Sequence, residues 1–266
     1  MNFEGIMKFT RIEYAVAGRV GTISLNRPEK RNALDDVMVA ELTQAFIAAA
    51  KDPGVKVVVL RANGPVFSAG ADLDYLQRVA KFDFNANLED CQKLIRLFVS
   101  INQMKKPVVA VVEGPALAGG CGLATACDFI IADKEKAEFG YPEVRIGFIP
   151  AIVLVYLLRR VSESQAKELV FTGKSISAQR AYEIGLVNEV VPTTEMSAFL
   201  SRFLQELVEK SSGTSISLMK EIFAKLPGMN LSDALDYVAN MNAVARMTDD
   251  FRKGVSAFLN KEKIIW

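Results

Sequence analysis

The sequence predicts an α/β fold followed by a helical C-terminal region, and three observations carry that expectation. Short β-rich runs alternate with helical or Gly-rich segments through the first two-thirds of the chain. Several of those runs are apolar on consecutive positions, the pattern of strands covered on both faces. After about residue 192 the strand signal stops and four helical patterns follow. The predicted division is therefore an α/β core over 1–192 and a helical region over 193–266.

The predicted strands are Phe9 to Val16, Val20 to Leu25, Val57 to Arg61, Val108 to Val112, Phe129 to Ala132 and Val187 to Val191. Between the second and third, Asp36 to Lys51 places Val39, Leu42, Phe46 and Ala49 on one stripe, which predicts a helix. Asp35 is its expected N-cap. In the C-terminal region, Phe199/Leu200, Phe203/Leu204 and Leu207/Val208 define a first helix, and Ile216, Met219 and Phe223 a second. Leu235, Val238 and Met241 define a third, and Phe251, Val255, Phe258 and Leu259 a fourth, with Pro227 and Gly228 breaking the second from the third. A region so short, with apolar inner faces, must pack on the core or on a neighbouring subunit.

Bulk properties narrow the function. Half of the 266 residues are hydrophobic, enough for a large core in one domain or one domain with a helical appendage. Lys plus Arg numbers 32 against 31 Asp plus Glu, so no global field favours nucleic acid or an anionic membrane. An anionic ligand must then be held by a local basic patch. Met1 to Thr10 lacks the apolar stretch of a signal peptide, and the longest apolar run, Ile149 to Leu158, is too short to span a bilayer. Cys91, Cys121 and Cys127 are odd in number and lack metal-ligand spacing, which predicts reduced thiols in a cytoplasmic protein. Histidine is absent. That excludes a Ser-His-Asp triad, a Cys-His pair and a histidine metal site, and leaves acid–base work to carboxylates, Lys, Tyr or Cys.

Four stretches carry candidate chemistry. Phe67-Ser68-Ala69-Gly70-Ala71-Asp72-Leu73 and Glu113-Gly114-Pro115-Ala116-Leu117-Ala118-Gly119-Gly120-Cys121-Gly122-Leu123 each follow an apolar strand and lead into a helical segment. Small residues there let a ligand approach the main chain, and a helix that follows leaves its first N–H groups unpaired at the positive end of its dipole. Two such junctions on one sheet edge can aim two N–H donors at one oxygen. Neither matches a GxGxxG or GxxxxGK[ST] phosphate loop. In Phe139 to Pro150, Glu143 lies in a largely apolar loop with Arg145 as its only charged neighbour, where desolvation would raise its pKa towards that of a proton shuttle. Asn26 to Asn32 makes a basic turn suited to a phosphate-bearing ligand. Each has a plainer reading: tight connections for the first two, a helix N-terminal glutamate or Arg145 partner for Glu143, a solvated turn for the last.

In this order and spacing the four stretches resemble the crotonase superfamily, the enoyl-CoA hydratases and isomerases. The likeness also runs through Ala126-Cys127-Asp128, Gly147-Phe148-Ile149-Pro150, Thr172-Gly173, Ala181 to Asn188 and Val190-Val191-Pro192. The resemblance implies a spiral of ββα turns, with a helical C-terminal region supporting homotrimers or dimers of trimers. It implies an acyl-CoA substrate, with coenzyme A as part of the substrate and no metal or redox cofactor. The thioester oxygen would accept from the N–H groups of Ala71 and Gly119, and Glu143 would carry the proton. Ala69, Asp72 and Leu73 would line the bound CoA, with Lys30 or Arg31 near its phosphates. Tyr75, Phe148, Ile149 and Val153 are candidate walls of the acyl pocket.

One departure matters. Where typical hydratases carry a second glutamate, three residues after the second oxyanion glycine, this chain has Gly122, here counted among the residues lining the substrate. That leaves open a hydratase with one glutamate, a 3-enoyl-CoA to 2-enoyl-CoA isomerase, or an acyl-CoA-binding homologue without chemistry. The stretch Gly147 to Val153 also resembles a bacterial branch associated with methylglutaconyl-CoA hydration, which tends to carry the same glycine.

Overall fold

The computed structural model describes residues 9–266, so Met1–Lys8, most of the stretch read for a signal sequence, lies outside the described residues. The chain runs β1 (Ile12–Ala17), β2 (Val20–Leu25), α1 (Asp36–Lys51), β3 (Val57–Ala62), α2 (Leu73–Val79) and α3 (Phe84–Asn102). It continues through β4 (Val108–Val112), β5 (Ala116–Leu117), α4 (Gly119–Ala126), β6 (Phe129–Asp133), β7 (Glu138–Gly140), α5 (Ala151–Leu157) and α6 (Glu163–Thr172). Then come β8 (Ile176–Ser177), α7 (Ala178–Glu183) and β9 (Glu189–Val191), followed by α8 (Met196–Gln205), α9 (Gly213–Lys225), α10 (Leu231–Arg246) and α11 (Asp249–Asn260).

The main sheet has six strands in the order β1-β2-β3-β4-β6-β9; only the β1–β2 pair is antiparallel. A second, three-stranded sheet joins β5, β7 and β8. Strand residues alternate between two buried faces. Val58, Leu60, Val108, Ala110, Val112 and Ile130 pack with Leu42 and Phe46 of α1 and Leu97, Phe98 and Ile101 of α3. Their neighbours Val57, Val59, Val109, Val111 and Ile131 pack with Met196, Phe199 and Phe203 of α8. Covering both faces explains why these strands read as unbroken apolar runs.

Helix α1 has the predicted bounds, and the Asp35 carboxylate accepts from Met38 N at 2.8 Å. Four helices follow Pro192, with the expected break around Pro227 and Gly228. Two strands start later than predicted because their leading residues hydrogen-bond elsewhere. Thr10 N and Arg11 N donate to the Glu41 carboxylate, and Val187 N turns back to Ala181 O. Helix α3 has no counterpart among the sequence patterns, because only its last turns bury apolar residues. A largely buried tie closes the C-terminal region onto the core: Lys56 Nζ, just before β3, donates to Val208 O at 2.7 Å and Ser211 O at 2.6 Å. Among the described residues, no helix is long and apolar enough to cross a membrane.

Candidate active site

Two junctions after neighbouring strands lie side by side. The chain after β3 runs parallel to the chain after β4, with Ser68 bridged to Ala116 and Leu117 N donating to Ser68 O at 2.9 Å. On its other edge Ala71 is bridged to Leu34: Leu34 N donates to Gly70 O at 2.7 Å and Asp72 N to Leu34 O at 2.9 Å. In a parallel bridge the residues flanking the central one make the bonds, so the N–H of Ala71 points away from Leu34, towards the other junction. Gly119 is the first residue of α4, where an N–H has no intrahelical acceptor. Neither N–H donates to a protein acceptor among the described residues.

The two donors are held close where Gly70 leaves no room for a side chain. A Cβ on Gly70 (φ +88°) would lie 2.6 Å from Ala118 Cβ and 3.5 Å from Gly119 N. Ala118 itself adopts φ 50°, ψ −127° while its N–H donates to Gly140 O at 2.8 Å. A non-glycine residue there stores about 1–3 kcal/mol of strain, a cost found where backbone direction serves a site. The sequence suggested that both donors would come from helix N-termini. Gly119 does; Ala71 lies before the α2 cap and owes its free N–H to the Leu34 bridge, a pairing with no local sequence signal.

Strand β7 brings the carboxylate to the same place. Gly140 pairs with Leu117, and the chain then turns through Tyr141 into a 3-10 turn at Pro142–Ile146. Glu143, on that turn, is 7% exposed, and its Oε2 is buried without a hydrogen-bond partner among the described residues. Arg145 is exposed and forms no ion pair with it among the described residues. Burial pushes the Glu143 carboxyl above its ordinary pKa. Beneath it, the fully buried Tyr141 hydroxyl shares a hydrogen bond with Thr125 Oγ1 at 2.8 Å. Burial pushes the neighbouring Cys121 thiol up to about 11, so it stays neutral at physiological pH.

Gly122 lies one turn beyond Gly119 on α4 and is buried. A Cβ there would stand 2.1 Å from Val153 Cγ1, 2.8 Å from Val153 Cβ and 3.2 Å from Phe98 Cε1. Hydrocarbon fills the place that the resemblance gives to a second glutamate. Gly122→Glu combines overpacking with a buried, unpaired charge, and we expect it to cost about 3 kcal/mol or more. Denaturant unfolding measures this; an unchanged midpoint would show that Val153 yields freely.

The basic turn is more structural than its charge suggested. Arg31 (φ 53°) and Asn32 (φ 52°) are both left-handed. Buried Asn32 accepts from Arg27 N at 2.8 Å and donates to Asn63 O and Val66 O at 2.9 and 2.8 Å. Arg27, also buried, reaches Asp72 Oδ2 at 2.8 Å and Asp35 Oδ2 at 3.1 Å. Asp72 also caps α2 by accepting from Tyr75 N at 3.0 Å. Burial alone would raise the Asp72 pKa, but the Tyr75 N–H and the Arg27 guanidinium hold it below the usual carboxylate value. Its carboxylate therefore faces inward as a clasp and not outward along a ligand surface. Lys30 is exposed and paired with Asp74 at 3.2 Å, and Arg31 is exposed. Leu73 and Phe148 are exposed, while Ala69 and Tyr75 are half-buried, the Tyr75 hydroxyl donating to Asp90. Arg27 and Asn32, which shape this loop, were legible only as part of a basic turn.

Free backbone donors beside one buried, unpaired carboxylate equip an enzyme for proton transfer next to a carbonyl oxygen. The family model for enoyl-CoA hydratase/isomerase matches residues 16–266, and the chain belongs to that family, within the crotonase superfamily. It is accordingly an enzyme of the hydratase or isomerase class. A Thermus thermophilus relative is 44% identical over 244 residues, covering 92% of this chain and 96% of its own length. The 2,3-dehydroadipyl-CoA hydratase of Escherichia coli is 34% identical, covering 91% of this chain and 93% of its own. The crystal structure of an enoyl-CoA hydratase from Shewanella pealeana superposes with a TM-score of 0.92 at 29% identity, covering 97% of each chain. The α/β spiral expected from the resemblance is thus the fold observed.

Proposed function

We propose that this enzyme hydrates a 2-enoyl-CoA thioester, with the Ala71 and Gly119 N–H groups on the thioester oxygen and Glu143 as the single proton carrier. The observation that carries this reading is the buried Glu143 oxygen, unpaired among the described residues, on the turn that follows a strand paired to the Gly119 junction, together with two unpaired backbone donors. Ionised Glu143 takes a proton from water as the water oxygen bonds C3. The C2–C3 π electrons move towards the thioester oxygen, whose charge the two N–H groups hold. As that charge returns, C2 takes the proton from Glu143, and the carboxylate is restored. Coenzyme A enters as part of the substrate, with Arg31 and Lys30, the latter released from its exposed Asp74 pair, meeting its phosphates and Ala69 and Leu73 beside them. A buried carboxylate with no partner among the described residues argues against the non-catalytic alternative.

Val153 over Gly122 favours a second reading. The three atoms nearest a Cβ at Gly122 are all hydrocarbon, a poor hold for water, and one carboxylate suffices to remove a proton from C2 of a 3-enoyl-CoA and return it at C4. Purified protein should therefore be assayed by absorbance and mass against crotonyl-CoA, 3-methylglutaconyl-CoA and a 3-enoyl-CoA. We expect gain of one water with loss of enoyl-thioester absorbance on at least one 2-enoyl substrate. Conversion of the 3-enoyl-CoA alone, at constant mass, would establish the isomerase instead, and three untouched substrates would remove both.

We assign 1–192 to acyl-CoA binding and 193–266 to packing and assembly. Leu235, Val244, Phe251 and Phe258 leave apolar surface exposed on α10 and α11, which a homotrimer or dimer of trimers would cover. Three unbridged cysteines suit a cytoplasmic enzyme.

A further inference from the structure

We infer that Val153 sets the length of acyl group this enzyme accepts, by closing the site along α4 and shutting it off from an adjoining cleft. The inference rests on the proposed placement of the thioester oxygen at Ala71 and Gly119.

Gly119 and Gly122 are three residues apart on α4 and so share one helix face. An acyl group leaving the carbonyl along that face meets the side chain of Val153, which is 4% exposed and lies over Gly122. Phe98 of α3 reaches the same spot, and its ring packs against Tyr156 with centroids 5.4 Å apart. Tyr156 is three residues after Val153, so it is its neighbour on α5.

Tyr156, but neither Val153 nor Phe98, lines a cleft of about 910 Å³ between the core and α9. Thr125, Phe129, Tyr156, Met219 and Phe223 supply much of its wall. Thr125 is itself one turn beyond Cys121 on α4. Gly122 and the cleft are therefore separated by a hydrocarbon partition of Val153, Phe98 and Tyr156. The partition excludes long acyl chains and leaves short apolar acyl thioesters as the substrate class. Trimming Val153 is the smallest change that lengthens the acyl site towards the cleft. A methylene gained or lost in a hydrophobic pocket changes discrimination by about 10–200-fold.

The test compares wild type and Val153→Ala, as full-length proteins, on crotonyl-CoA and trans-2-octenoyl-CoA. Dissociation constants for butyryl-CoA and octanoyl-CoA are measured in parallel by calorimetry. We expect the octenoyl-to-crotonyl ratio of kcat/KM to rise about tenfold or more in the variant. Octanoyl-CoA should bind more tightly and butyryl-CoA about as before. Ratios unchanged within about twofold, in turnover and in binding, would overturn the inference. If neither protein turned over any substrate while octanoyl-CoA still gained affinity in the variant, the proposed chemistry would fall and the partition would stand. Val153→Ile keeps the question open to refutation should the alanine variant not fold. Its added methylene should lower kcat/KM for crotonyl-CoA about tenfold, and the affinity for butyryl-CoA with it, while free CoA binds as before. Unaltered crotonyl-CoA turnover and butyryl-CoA binding would sink the idea.

Discussion

Glu143→Gln should abolish turnover while acyl-CoA binding persists. The substitution keeps shape and polarity but removes the carboxylate proposed to move the proton, so one change deletes both the base and the acid. General acid–base catalysis contributes about 10²–10⁴-fold for each proton transfer, so a loss of about 10³-fold or more is expected in kcat. Titration calorimetry with a saturated acyl-CoA measures binding alongside. Retained turnover would take Glu143 out of its role.

The raised pKa adds two pH signatures to the same experiment. Hydration needs ionised Glu143, so wild-type kcat/KM should fall as pH drops through a value above the ordinary glutamate range. For stability the sign is opposite. A carboxyl whose folded pKa exceeds its unfolded value of about 4.3 favours the folded state below that value, and loses that advantage as pH rises through the folded pKa. Glu143→Gln should therefore stabilise the protein relative to wild type at neutral pH more than at low pH. Thermal unfolding at several pH values measures the difference. A pH-independent difference would contradict the desolvated carboxyl.

Gly119→Pro should cost about 10²–10³-fold in kcat, the usual consequence of losing one oxyanion donor. The position suits the test because Gly119 is the first residue of α4. Proline is well tolerated there, since the missing N–H makes no intrahelical bond. The residue before proline is also restricted, and Ala118 is already strained. Gly119→Ala controls for added bulk: its Cβ would meet only Leu34 Cδ1, at 3.3 Å, and its N–H remains. An active alanine variant beside a folded, inactive proline variant identifies the donor. Equal loss in both would point to crowding at Leu34 instead.

The sequence disclosed what local rules govern. Helix α1 could be read with its cap because Asp35 and the apolar stripe are contiguous. The buried strands could be read because both of their faces are covered. Three strands of two or three residues, β5, β7 and β8, could not, since no periodicity develops over such lengths. At the site, Glu143 stood out through its apolar neighbours. The meaning of Gly122 did not, because Val153 and Phe98 approach it from two other helices. Asp72 looked like a ligand-lining residue for a similar reason. Its partner Arg27 is distant in sequence, and only the folded chain shows the carboxylate turned inward.

The two halves of the proposed chemistry differ in what a mutation can reach. At positions 71 and 119 the donor is main chain, which every amino acid except proline supplies. Its placement is recorded in the path of the polypeptide: the Leu34 bridge, the Gly70 approach and the twist at Ala118. The proton carrier is one side chain on a separate turn, and a single codon change removes or replaces it. Descendants of such a chain would inherit the charge-stabilising half almost unaltered while exploring new reactions through residues 122, 143 and 153.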